Sequence, residues 1–451
     1  MNRADRVKLN EQGTTLVIVI LIMLALTAIV MGVSSISVNE TQIATNEMLD
    51  KQAFYLAEAG TEQSIKYLAG LTMPFRGTGA NKDQPFQLLN NVSLYGKGTV
   101  TSWLDPLDSN TGNPTRFVAV SVRATLNGSG MSKVLQVKVG QQNFSRYAYF
   151  SDMEKNPAGT TIWFVTKDEF FGPLHTNDQM HIYGDPKFHE EASSCASSID
   201  YYNGGPPSDN PEFIGGLTLN ASNIPLPANT SMILNAANEA GGLKFTAATV
   251  YIKFVVDAGG NRSISYQINN GAWVTGQAYP ANGVIYVQGT AQVEGKVKGQ
   301  VTIGCNGDIR IMDNIVYNTD PRIDPTSTDL LGLVAEQNVW MWNSAANLDV
   351  ADETVMAAVM ALNTSWTAKD YELGTPRGKL IVYGGIIQKK RGAVGTFNAG
   401  TGAIVTGYEK NYSYDSRLMD NPPPAFPTTG QVEKVAWNEI DPSTDISRNV
   451  W

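Results

Sequence analysis

The stretch Thr14-Thr-Leu-Val-Ile-Val-Ile-Leu-Ile-Met-Leu-Ala-Leu-Thr-Ala-Ile-Val-Met-Gly-Val33 decides how the rest of this 451-residue chain is read. No charged side chain occurs from Thr14 to Asn39, and fourteen of the twenty quoted residues are Leu, Ile, Val or Met. As a helix rising about 1.5 Å per residue, twenty residues span the roughly 30 Å hydrocarbon core of a bilayer. Each Leu, Ile or Val favours insertion by roughly 0.3–0.6 kcal/mol, so the whole run favours the membrane by several kcal/mol.

The flanks orient this span. Residues 1–13 form a short leader in which Arg3, Arg6 and Lys8 stand against Asp5 and Glu11, and the next charge is Glu40. A basic leader and no basic residue just beyond the span place the N-terminus in the cytoplasm. No second apolar run of this length follows, so a single pass through a bacterial inner membrane is expected. The ectodomain would then be periplasmic, or on the cell surface after assembly. A secretory signal has a shorter apolar region, about 7–15 residues, followed by a small-residue cleavage site. Here the run is longer and no clear Ala-x-Ala site follows at its end. A plain signal anchor stands as the simpler alternative.

Gly13, placed between the charged leader and the apolar run, resembles the class III leader of type IV pilins and pseudopilins. A second string, Asp50-Lys-Gln-Ala-Phe-Tyr-Leu-Ala-Glu-Ala-Gly-Thr-Glu-Gln-Ser-Ile-Lys-Tyr-Leu68, resembles the N-terminus of PilX-type minor pilins. The resemblance covers about the first 60 residues. It implies cleavage by prepilin peptidase between Gly13 and Thr14, with the apolar segment kept on the mature protein. It also implies partnership with other pilin or pseudopilin subunits through that segment. Major pilins carry Glu at the fifth mature position, where it neutralises a neighbour's N-terminal amine. Ile18 stands there in this chain. An unneutralised buried ammonium is costly. The departure therefore points away from the repeated shaft subunit and toward a rare tip or priming subunit.

From Val33 to Leu68 there is no Pro, and apolar residues recur at Ile36, Ile43, Met48, Ala53, Leu56, Ala57, Ile65 and Leu68. This spacing is closer to a helical than to an alternating period, and Thr72-Met73-Pro74 ends it. One long pilin-like helix over 14–71 is expected; two separate helices are the alternative.

Beyond residue 72 the chain reads as mainly β. Phe117-Val-Ala-Val-Ser-Val-Arg-Ala-Thr-Leu126 and Lys133-Val-Leu-Gln-Val-Lys-Val139 alternate with period two around Asn-Gly-Ser-Gly, which predicts an antiparallel hairpin. Gly283 to Tyr317 is a series of short strands broken by Gly or Asn. Spacings of four to six residues suit the faces and corners of a β-solenoid, with an antiparallel sandwich as the alternative. Similar texture occurs at 162–188, 339–361 and 379–388. The runs Thr249–Val256, Ser263–Ile268 and Ala272–Thr275 read as a meander.

The predicted organisation is a leader at 1–13, a transmembrane and extended helix at 14–71, and a small antiparallel β domain at 72–145 packed near the helix. A solenoid-like ectodomain at 146–430 follows, with a β-meander insertion at about 245–281, and then a C-terminal tail at 431–451. The strings Phe171-Gly-Pro-Leu-His-Thr-Asn177, Arg391-Gly-Ala-Val-Gly395 and Gly407–Leu418, with Pro422–Pro427 and Trp437, resemble an uncharacterised bacterial surface domain that commonly follows a pilin-like N-terminus. That resemblance spans roughly 150–440 and brings no known activity.

Candidate chemistry is sparse. A net charge of −9 argues against nucleic-acid binding. There is no P-loop, Gly-x-Ser-x-Gly or dinucleotide fingerprint. His175, His181 and His189 lie within fifteen residues among Asp178, Asp185, Glu190 and Glu191. They are weak metal candidates, with ordinary satisfied or solvated histidines as the other reading, and no cofactor is expected. Cys195 and Cys305 could pair in an oxidising compartment or stay free. Asp105, Asp108 and Asn110 before Gly112 read as an Asx-rich turn, since the spacing fails the EF-hand pattern. Tyr408, Tyr412 and Tyr414 either stack on sugar or seal a β core, and Lys389-Lys390-Arg391 either grips an acidic glycan or is solvated.

The expected function is that of a low-abundance, non-enzymatic subunit of a type IV pilus or related secretion pseudopilus, structural or adhesive. The alternative is a membrane-anchored solenoid that binds or degrades polysaccharide. Pairs such as Asp308 with Asp313, or Asp349 with Asp352, are the carboxylates available to such an enzyme. A plain anchored surface protein is the third reading.

Overall fold

The computed structural model describes residues 5–72, 74–78, 84–107, 117–342, 351–398 and 403–447, with backbone alone for 5–13. Residues 1–4 of the leader, the turn residues Asp108, Asn110 and Gly112, and Asp349 lie outside the described residues.

One uninterrupted helix, α1 (Asp5–Ala69), begins the chain, which decides between the one-helix and two-helix readings. Inside the apolar stretch Thr27 satisfies its hydroxyl by donating to the Met23 carbonyl at 2.7 Å, and just beyond it Thr41 and Thr45 do the same to Ser37 and Thr41. Polar side chains thus stay satisfied without leaving the helix. At the far end Gln141 closes the turn. Its amide donates to the Leu68 carbonyl at 3.2 Å and accepts from the Phe75 amide at 2.6 Å.

The last turns of α1 bury Ala53, Leu56, Ala57, Gly60, Thr61, Ser64 and Leu68, a stripe at three- and four-residue spacing. The stripe packs on an antiparallel sheet of β1 (Phe86–Leu94), β2 (Gly98–Pro106), β3 (Phe117–Leu126) and β4 (Ser132–Asn143). Leu104, Val118, Val120, Val122, Leu135, Val137 and Val139 supply the sheet side of this core. Gly60 permits the close approach, because a Cβ there would stand 2.4 Å from Val100 Cγ1 and 2.9 Å from Val122 Cγ1.

The fifth strand of this sheet corrects the expected tail at 431–451. Thr428–Ile440 runs antiparallel along β4, with Trp437 opposite Val137 and Ile440 opposite Val134. Lys133 of β4 bonds Asp50 of α1 at 2.8 Å and also Glu439 of this strand, while Lys434 pairs with Glu62. The head is therefore closed by the far end of the chain, and the intervening residues form an insertion between β4 and Thr428–Ile440.

That insertion is built from parallel ladders. In the longest, Leu243–Phe245, Val284–Val287, Gln300–Cys305, Leu330–Ala335, Glu353–Ala361 and Pro376–Lys390 follow one another in parallel. Next comes β5 (Tyr149–Met153), then Leu174–Thr176, Ala192–Ser194 and Leu217–Thr218. A second ladder holds Thr249–Val256, Thr290–Val297, Ile309–Tyr317, Val339–Met341 and Trp366–Ala368. Two short ladders, 164–165/181–183/200–201 and 169–170/187–188/212–213, complete the N-terminal coils. Parallel pairing from coil to coil is that of a solenoid and not of an antiparallel sandwich. Thr249–Val256 also pairs antiparallel with Arg262–Ile268, and that strand with Trp273–Gln277.

In-register stacking aligns like with like. Ile285, Ile303, Leu333, Val359, Ile386, Tyr149, Leu174, Ala192 and Leu217 form one inward row along the first ladder. The other face of this ladder is also buried, under α2 (Ser231–Asn238) and under Leu418 to Phe426. A strand covered on both faces reads as a continuous apolar run, as Leu330-Leu-Gly-Leu-Val-Ala335 does.

The stack is out of sequence order. β5 docks on Pro376–Lys390, with Ile387 opposite Phe150 and Lys390 opposite Met153. From β5 the coils climb to Leu217–Thr218. Residues 219–242 then carry the chain back to the opposite end at Leu243, and the later coils return to meet β5. Both connections to the head consequently leave from the middle of the solenoid, where Asn143 and Thr428 are opposite one another.

Candidate functional site

Three regions carry chemistry that backbone geometry alone does not require. The first is the exposed part of α1. Every side chain from Thr14 to Met48 is exposed, including Leu16, Ile18, Leu24 and Ile29, the last at 61%. So long an apolar surface needs a cover of lipid or of neighbouring helices. Gly13 is within the helix, on its N-terminal side of this surface.

The second region is the seam where β5 meets the C-terminal coils. Lys389-Lys390-Arg391 divides here. Lys389 pairs with Asp152 at 2.5 Å at the surface, whereas Arg391 is buried. Its guanidinium lies 3.1 Å from Glu154 Oε2 and 3.4 Å from Asp168 Oδ2, and stands 4.0 Å over the Phe164 ring. Lys410 approaches Asp168 Oδ1 at 3.0 Å. Burial pushes the Asp168 carboxyl up, but Lys410 and Arg391 outweigh it and hold the group below its ordinary value. The network joins the N-terminal coils, through Glu154 and Asp168, to the C-terminal ones, through Arg391 and Lys410. Above it opens a cleft of about 180 Å³ whose lining includes Phe170, Phe171, Trp366, Gln388, Lys410 and Tyr412.

The third region holds the histidines, which the fold separates. His175 is in the longest ladder, with Nδ1 2.9 Å from Ser193 Oγ and Nε2 3.0 Å from Asn177 Oδ1. Burial lowers its pKa. His181 is in a short ladder and bonds Asp200 at 2.7 Å. His189 bonds Glu169 at 2.8 Å and stacks on Phe171 at 4.3 Å. Each has its own partner, and among the described residues no three His, Cys, Asp or Glu side chains converge as a metal site would require.

The cysteines do not pair in the structure. Cys195 is near Asn177 and His175, while Cys305 is fully buried and its thiol donates to the Gly307 carbonyl at 3.3 Å. Tyr408 is buried, Tyr412 accepts from Trp366 Nε1 at 3.1 Å, and Tyr414 donates to the Arg146 carbonyl at 2.9 Å. These tyrosines seal the solenoid. Asp308 accepts from the Asn338 amide, Asp313 from the Asn314 amide and Asp352 from the Lys379 amide, so each holds backbone, the first and last between neighbouring coils. Sequence reading missed the buried role of Arg391, and also the outward aromatics Trp163, Tyr183 and Tyr202. The signal for these three was the period-two position of each beside an inward Phe164, Ile182 or Tyr201.

Residues 12–62 match the PilX N-terminal family, and residues 110–197 match a domain of unknown function, DUF4900. The second match starts in the head and ends in the first coils, a shorter span than the roughly 150–440 expected from the sequence. Of solved structures, the competence-associated pilin ComZ from Thermus thermophilus overlaps 86% of this chain and 97% of its own, at 12% identity and a TM-score of 0.33. Overlap at that level fixes neither fold nor function. No curated protein matches the sequence. Over residues 12–62, then, the apolar helix and the turns behind it are similar to the N-terminus of PilX-type minor pilins. In this chain that N-terminus carries a further, β-rich domain inserted in its head.

Proposed function

We propose that the protein is a low-abundance, non-enzymatic subunit of a type IV pilus or secretion pseudopilus, which displays its solenoid as an adhesive ectodomain. Before assembly it spans the inner membrane once, N-terminus in the cytoplasm. Prepilin peptidase cuts between Gly13 and Thr14, and Thr14 to Met48 then packs among the helices of other pilins. Ile18 at the fifth mature position suits a tip or priming place, where no neighbour's amine needs neutralising. The observation that carries this reading is the division of α1, with one face of its last turns buried in the head and everything from Thr14 to Met48 left open.

The test is N-terminal sequencing of the protein recovered from a piliated host with and without its prepilin peptidase. A mature start at Thr14 only with the peptidase, and recovery at low copy in sheared filaments, is expected. Retention of Met1 in the host with active peptidase would contradict the reading.

A further inference from the structure

The short ladder 164–165/181–183/200–201 has an outward face unlike a solvated one. Phe164, Ile182 and Tyr201 point inward to the core. Parallel register then sets two outward rows, Trp163–His181–Asp200 and Val165–Tyr183–Tyr202. Three aromatic rings from three successive strands therefore meet on the surface. Trp163 and Tyr202 have centroids 5.1 Å apart at 89°, and Tyr183 and Tyr202 4.7 Å apart at 44°. Tyr202 is 60% exposed, and Trp163 and Tyr183 beside it are half-buried.

Rings this close leave no gap for a cation between them, and with Trp163 perpendicular to Tyr202 and Tyr183 tilted against it they form a stepped outer patch and not a cage. The polar groups along these strands include His181, packed on Trp163, and two carboxylates. Asp200 is held by His181 Nδ1 yet keeps 44% of its side chain exposed, and Asp185 is exposed at the end of the middle strand. Aromatic faces take the C–H face of a sugar ring, and carboxylates accept hydroxyl hydrogens while repelling anionic sugars.

We propose that this face is a binding platform for a neutral, hydroxyl-rich saccharide, with Trp163, Tyr183 and Tyr202 stacking on sugar rings and Asp200 and Asp185 receiving hydroxyl groups. It deepens the adhesive reading and rests on the solenoid being the displayed part. Its test uses purified protein, so a failure of assembly and a failure of sugar binding are seen separately. The full chain in detergent is titrated with cellohexaose, chitohexaose, laminarihexaose and mannohexaose, with octagalacturonate as the anionic comparator and phosphatidylcholine vesicles as the lipid one. The readouts are tryptophan fluorescence and calorimetry. Saturable binding of at least one neutral probe is expected, weakened about three- to tenfold by Tyr202→Ala, the scale of one aromatic contact. Tyr95→Asn, on an exposed ring of the head, should leave it unchanged. No binding by any neutral probe, tighter binding of octagalacturonate or vesicles, or full affinity in a Tyr202→Ala chain with an unaltered melting curve would overturn the proposal.

Discussion

The head and the solenoid solve the same problem in opposite ways. In the head, β1 to β4 pair each with the next in sequence, and one amphipathic helix covers the sheet. In the solenoid, strands pair in parallel with partners a whole coil away, and the decisive contact, β5 on Pro376–Lys390, joins residues more than two hundred positions apart. The head needs a single long-range strand, Thr428–Ile440, to finish it. Local pairing lowers the loop entropy of closing a sheet, whereas the solenoid must order each coil before the next contact forms. A neck of two neighbouring strands then lets the large solenoid hang from the head without interrupting its helix.

This contrast can be broken by experiment. The largest effect is expected from deleting residues 428–451. If the head were complete in its local strands, β3 and β4 would keep their slow amide exchange. The account expects them to lose it, with a loss on the scale of a small domain's whole stability, about 5 kcal/mol or more. Next is Arg391→Ala, which strands Glu154 and Asp168 without their cation and should cost about 3–5 kcal/mol. Denaturant unfolding should show that loss in the solenoid transition and none in the head. The seam should also respond to acid. A carboxylate with a depressed folded pKa contributes stability that is present above about pH 4 and is lost as pH falls through the folded value. Solenoid stability should therefore fall below pH 4, less steeply in Asp168→Asn than in the native chain.

A smaller effect, confined to the head, is expected from Gly60→Val. The new side chain would overlap Val100 and Val122, costing about 1–3 kcal/mol in the head's melting transition. The smallest concerns the cysteines. Burial pushes the Cys305 thiol up to about 12, so a maleimide should label Cys195 in the native chain and reach Cys305 only after unfolding.

Legibility in the sequence followed the same division. The apolar run from Thr14, the helix behind it and the hairpin of β3 and β4 were readable because their periods and partners are local. The coiled texture of 283–317 was readable from Gly and Asn at the corners. The return of Thr428–Ile440 was not, since its partner is β4 and nothing in a one-dimensional pattern names a distant strand. The seam escaped for the same reason: Arg391 follows two lysines and looks solvated until Glu154 and Asp168 are brought beneath it. Tyr408, Tyr412 and Tyr414 were ambiguous because an aromatic beside polar residues looks alike at a core edge and on a sugar platform. Burial separates them from Tyr202.

The central structural claim, that the solenoid's first coils stack on its last, is tested most directly by a disulfide across the seam. Met153 and Lys390 are opposite in register and both reach the surface. In the Met153→Cys/Lys390→Cys chain, mild oxidation followed by proteolysis and mass spectrometry should find these two positions joined. Failure to join, or linkage of residue 153 only to Cys195 or Cys305, would contradict the account.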